Sequence, residues 1–172
     1  MLNIFKKTLT RFLFVLKLDK PIIMKFELRQ LWLLTLLPFV FLSSCSVEPV
    51  PIEYGKDACH FCKMNIVDSQ HAAEIVTKKG KAFKYDAIEC MMNNRFDWAE
   101  EDIALYLMTD YGTPGKLVDA TKGIYLISEN LPSPMGGNLT GFGSEAYANE
   151  IKREKGGELL SWDVLKDRYQ KK

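Results

Sequence analysis

The chain has 172 residues, 23 Lys+Arg against 22 Asp+Glu, 47% hydrophobic residues and 12% aromatics, a balance that excludes a disordered tail and a collagen-like repeat. Seven Lys/Arg and two Asp/Glu fall in the first 44 residues, so the part from Cys45 onward holds 16 basic and 20 acidic residues and is acidic by four charges. Without clustered Lys and Arg, nucleic acid and anionic lipid patches are unsupported as partners.

The chain opens on a targeting segment. From Met24, Lys25 and Arg29 precede the apolar run 31–42, and Leu42-Ser43-Ser44-Cys45 follows at once, the layout of a bacterial signal peptide. The last four residues resemble a lipobox, in which cleavage precedes Cys45 and its thiol is lipidated. The run of about 12 residues contains Pro38 and is short of the roughly 20 needed to span a bilayer. A second apolar stretch at 12–16 is broken by Lys17, Asp19 and Lys20, which suggests Met24 as the true start. The expected mature protein is Cys45–Lys172 on the periplasmic side of a membrane, with residues 45–56, including Pro49 and Pro51, as lipid-bearing Cys and linker.

The body from 57 predicts strands at 72–77 and 81–85, joined by a turn at Lys78-Lys79-Gly80, a helix from an Asp86 N-cap to about Trp98, and a strand at 103–108. After Gly112-Thr113-Pro114-Gly115 the order repeats: strands at 116–120 and 123–127, a loop at 132–137, a strand at 139–142, a helix from Ser144 to about Lys155, and a strand at 158–162. The expected fold is α+β, two small ββαβ-type halves at roughly 57–112 and 113–172.

Asp57-Ala58-Cys59-His60-Phe61-Cys62-Lys63-Met64-Asn65 is the densest chemical constellation. Two thiols and a thioether on one short loop select Cu(I) among biological metals. Zn(II) suits the loop poorly, because no second CxxC pair is present, only Cys90. A disulfide or redox dithiol at Cys59 and Cys62 is the chief alternative, although the motif lacks the strand-to-helix context of thioredoxins. Lys63 after the second Cys excludes a c-type haem. Cys62 is expected to be the dominant sulfur, with Met64 and Cys59 beside it.

Cys90-Met91-Met92 on the first helix reads as core, and so does Met108. Met135, in Pro134-Met135-Gly136-Gly137, sits on a loop with little reason to be apolar and is a candidate ligand. His60, His71 and Asp86 are candidates to support or join the ligand set, with His71 more simply read as solvated. No Ser/His/Asp set, paired carboxylates or phosphate loop is present, so a binding protein is favoured over an enzyme.

Together the lipobox Cys45, Tyr54-Gly55, Cys59-His60-Phe61-Cys62-Lys63-Met64, Gly80, Tyr85-Asp86, Cys90-Met91 and Pro134-Met135-Gly136-Gly137 resemble the NosL family of nitrous-oxide reductase accessory lipoproteins. The resemblance implies two ββαβ halves, Cu(I) as cargo, Cys62 and Met64 as its Cys-x-Met element and Asp86 as the acidic helix start. It also implies a copper donor and a client cuproenzyme, nitrous-oxide reductase, as partners. The extra Cys59 departs from the single Cys of many members. The alternative function is a thiol-disulfide oxidoreductase using Cys59 and Cys62.

Overall fold

The computed structural model describes residues 47–170. The signal segment, the Met24 start and Cys45 lie outside them. Short, largely apolar strands and tight turns build two small antiparallel sheets. In the first, β1 (Ala73–Thr77) pairs with β2 (Ala82–Tyr85) and with β3 (Ile103–Asp110), and helix α1 (Ile88–Asn94) links β2 to β3. In the second, β5 (Ile124–Ile127) pairs with β6 (Leu139–Phe142) and β7 (Glu158–Ser161), and helix α2 (Glu145–Lys155) links β6 to β7. Each unit thus runs strand, strand, helix, strand with its first strand in the middle. The expected α+β architecture of two ββαβ-type units is present.

The strand expected at 116–120 does not belong with the second set. It is β4 (Thr113–Asp119), hydrogen-bonded to β3 at the edge of the first sheet, whose order is β2-β1-β3-β4. Only Tyr111-Gly112 separates β3 from β4, so the chain folds straight back as a hairpin, and the Gly and Pro that suggested a break sit on an exposed edge strand.

Helix α1 is also shorter than expected. Its N-cap is Ala87, with no side-chain cap bond, and after Asn94 the chain tightens into a 3-10 turn at Arg95–Asp97. Asp86 therefore does not cap the helix. Helix α2 begins as expected, with the Ser144 hydroxyl accepting from Tyr147 N–H, and stops at Gly156. After β7 the chain forms helix α3 (Trp162–Arg168), capped by Ser161, so Trp162 opens this helix and does not close the strand as expected.

The halves share one core. Ile75, Tyr85, Ile88, Met91, Met92 and Met108 of the first pack in one cluster with Tyr125, Leu139, Trp162 and Leu165 of the second. Trp162 at the start of α3 stacks near Tyr106 at 5.0 Å and Tyr125 at 6.1 Å between ring centroids. At Gly141 on β6 a Cβ would stand 2.3 Å from Met108 Sδ and 2.9 Å from Ile88 Cδ1, so the missing side chain is what lets β6 approach β3 and α1. Met108 is core, as its setting in an apolar strand implies, and Met91 and Met92 are fully buried.

Ahead of β1, residues 50–57 cross the first sheet as a strap. Val50 N–H donates to Glu74 Oε1 at 2.9 Å, and Lys84 Nζ donates to Pro51 O and Asp57 Oδ2, both at 2.7 Å. The strap leads directly into the Cys loop. Among the described residues no helix is long and apolar enough to cross a membrane.

Candidate metal centre

The segment 57–66 folds as a tight knuckle. Ala58 and Asn65 form an antiparallel bridge, Cys59 N–H donates to Met64 O at 2.8 Å, Lys63 N–H donates to Cys59 O at 3.0 Å, and Ile66 N–H donates to Asp57 O at 2.9 Å. Closing so short a turn puts Lys63 in the left-handed region at φ 65°, where a Cβ carries a steric cost. The Lys63 ammonium turns back to donate to His60 O. The knuckle is fastened to the sheet by His60 N–H donating to Lys84 O on β2 at 2.8 Å.

That fastening lays the knuckle over the start of α1, so the two loop thiols meet a third. The Sγ atoms of Cys59, Cys62 and Cys90 all lie within 4.8 Å of one another, and all three are free thiols. Cys90 comes from α1, where Ile88, Met91 and Met92 around it are fully buried and fix the helix on the sheet. Sequence reading set Cys90 aside as core. It is buried, with 1% exposure like Cys59, but its sulfur faces the other two. Cys62 alone is partly open to solvent.

The trio shares its protons unequally. Cys59 is held down to about 4, first by the hydrogen bond from Cys90 and, against its burial, by those from the Asp86 and Cys62 backbone amides and the Cys62 thiol. Cys90 is pushed up because it donates to Cys59 and is buried. Cys62 is pushed up by its own burial, although Met64 N–H donates to its sulfur. One thiolate braced by two thiols is a preformed cradle for a soft cation.

The other expected site residues divide. Met64, the second residue after Cys62, is 49% exposed, and Met135 is 37% exposed on its loop. The Met135 loop is anchored at the helix: the Ser133 hydroxyl donates to Glu89 Oε1, next to Cys90, and a Cβ on Gly137 would stand 2.7 Å from that same oxygen. His60 lies over an aromatic bed, 4.7 Å from Phe83 and 5.9 Å from Trp98 between centroids, with burial and then Lys63 and Lys81 lowering its pKa. His71 is neither solvated nor open for a ligand bond. It is buried, with Nδ1 2.8 Å from Asp68 Oδ2 and Nε2 3.1 Å from Thr140 Oγ1. Asp86 is buried with Oδ1 unpartnered, and burial raises its pKa; its backbone N–H serves the Cys59 sulfur.

Three sulfurs with no carboxylate or imidazole among them make a soft, low-coordinate site. It fits Cu(I), which accepts two or three sulfur donors, better than structural Zn(II), which takes four Cys or His.

The chain is similar to known proteins. The model of the NosL family matches residues 49–170. A copper-binding lipoprotein NosL of Stutzerimonas stutzeri is 26% identical, over 70% of this chain and 67% of its own. The crystal structure of the copper chaperone NosL from Shewanella denitrificans has a similar fold, with TM-score 0.57 and 15% identity, covering 69% of this chain and 95% of that one.

Proposed function

The chain belongs to the NosL family, and from that premise we propose that it is a Cu(I) chaperone, a carrier of copper and not an enzyme, which loads an extracytoplasmic cuproenzyme. The convergence of Cys59, Cys62 and Cys90 within 4.8 Å, with one sulfur open to solvent, is the observation that supports this reading. Copper is the cargo. The buried sulfurs shield it from water and oxidants, and the open side of the knuckle leaves room for another protein's soft ligand. Met64 and Met135 serve as outer thioether donors, which stay neutral and cannot be lost to disulfide formation.

Cys45 carries the lipid that tethers the protein to the periplasmic side of a bacterial membrane, with a copper transporter or donor upstream. The client is nitrous-oxide reductase, a reading supported by the family's character as accessory lipoproteins of that enzyme. A soluble 46–172 fragment, reduced and titrated anaerobically with Cu(I) against a chromophoric chelator, is expected to bind about one Cu(I) per chain. Absence of binding, together with metal-free turnover of a dithiol substrate, would replace the chaperone with the oxidoreductase alternative.

A further inference from the structure

We infer that the three sulfurs divide the work: Cys59 and Cys90 hold copper, and Cys62 is the sulfur that comes and goes. This rests on the copper reading above and assigns each atom a role within it. In place of the dominant part that sequence spacing gives Cys62, the folded chain gives retention to the two thiols that sequence spacing separates most widely.

Burial and anchoring carry the division. Cys59 and Cys90 are each 1% exposed. They belong to different anchored elements. Cys59 follows directly on the Ala58–Asn65 bridge, and its own N–H is bonded to Met64 O. Cys90 is set in α1 among Ile88, Met91 and Met92, all fully buried. Moving either sulfur means moving the bridge or the helix. Cys62 instead sits at the tip of the knuckle, partly open, followed by Lys63 in the left-handed conformation. Small backbone changes confined to the tip can withdraw its sulfur without breaking the bridge at the base. The exposed side chains of Phe61 and Met64 flank it on the same tip, at 43% and 49%.

Cu(I) is stable with two sulfur donors as well as three, so losing Cys62 leaves a bound ion with an open side. In the exchange step a lone pair from the acceptor's thiolate or thioether forms a bond to Cu(I) as the bond to Cys62 Sγ breaks. The electron pair stays on Cys62, which takes a proton from water, and copper remains Cu(I) throughout. Met64 is placed to catch the ion on its way out and is not a ligand of the resting site.

X-ray absorption of the Cu(I)-loaded chain, with competition by bicinchoninate on variants, tests the division. The native protein is expected to show three sulfur neighbours, and Cys90→Ser and Cys62→Ser two each. Cys90→Ser is expected to lose at least about a hundredfold in affinity, Cys62→Ser only about tenfold while giving up copper to bicinchoninate faster than the native protein, and Met64→Leu less than about threefold. Because Cys90 is in the core, near-ultraviolet circular dichroism of Cys90→Ser and Cys90→Ala checks the fold, and the sulfur count of the native protein stands without either variant. Native copper bound by two sulfurs, or a folded Cys90→Ser or Cys90→Ala of native affinity, or a larger loss in Cys62→Ser than in Cys90→Ser, overturns the division and leaves the chaperone reading standing. A native chain that binds no Cu(I) overturns both.

Discussion

His71 Nε2 lies 3.1 Å from Thr140 Oγ1, joining the approach to β1 with β6 on the other sheet. The ring's second nitrogen, Nδ1, lies 2.8 Å from Asp68 Oδ2, so both ring nitrogens are hydrogen-bonded. Both residues are buried, so the pair is a polar tie between the halves in a place where an orphaned group is costly. Thr140→Val keeps the volume and strands the ring nitrogen. It is expected to lower unfolding free energy by about 1–2 kcal/mol and to leave Cu(I) affinity unchanged, as read by urea denaturation and chelator competition. Native stability in Thr140→Val would show that the bond adds nothing to the join.

Glu74 gives the molecule a pH signature. Its carboxyl is fully buried on the central strand, accepting from Val50 N–H but leaving Oε2 unpartnered. Burial raises its pKa above the ordinary 4.5, with Asp57 adding to the rise and Lys84 opposing it. The folded state therefore keeps a proton that the unfolded chain releases, and stability from this group falls as pH climbs from 4.5 through the raised value. Glu74→Gln retains an oxygen for Val50 and has no proton to lose. The variant is expected to gain on the native protein as pH rises through that window, and parallel stability curves for the two would refute the assignment.

The repeat of strand, strand, helix, strand was legible because β1, β2, β5 and β6 are short runs rich in apolar residues and because Gly80, Ser144 and Gly156 punctuate the chain where local chemistry requires. β4 was misplaced because an exposed edge strand with Pro114 and Gly115 carries little apolar pattern. Part of the three-thiol cluster was legible as well. Cys59 and Cys62 are neighbours in sequence, but Cys90 joins them only through the packing of α1 beneath the knuckle. A lone Cys beside two core methionines offers no local sign of that. The burial of His71 was hidden for the same reason, since its partner Thr140 lies on the other sheet.

Gly156 and Gly157 end α2 in different ways. Both have positive φ, 70° and 97°, but a Cβ on Gly156 would meet nothing within 4 Å, whereas one on Gly157 would stand 2.1 Å from the Ile127 carbonyl oxygen. Gly156→Ala is thus expected to cost only backbone strain, about 1–3 kcal/mol. Gly157→Ala adds a clash with a backbone that is itself paired to β6 and β7, and should cost more. Equal unfolding midpoints for the two variants would refute the role given to the Ile127 contact.

Thiol chemistry sets access against ionisation in the three-thiol cluster. Cys59 carries the most acidic thiol of the three, at about 4, and the thiolate is the nucleophile. Its sulfur is nevertheless buried, like that of Cys90, and an alkylating reagent reaches either only when the knuckle lifts from α1. Cys62 has the higher pKa but stands partly open at the tip. Access should decide, because an unreachable thiolate reacts no faster than the opening that exposes it. In the reduced, metal-free protein, iodoacetamide is expected to label Cys62 first and to leave Cys59 and Cys90 unmodified until much later, as followed by peptide mass spectrometry. One equivalent of Cu(I) should slow labelling at all three by at least about tenfold, since each sulfur's lone pair is then committed to the metal. First labelling at Cys59 would mean that the knuckle opens freely in the absence of copper, and unprotected Cys90 in the loaded protein would remove its sulfur from the site.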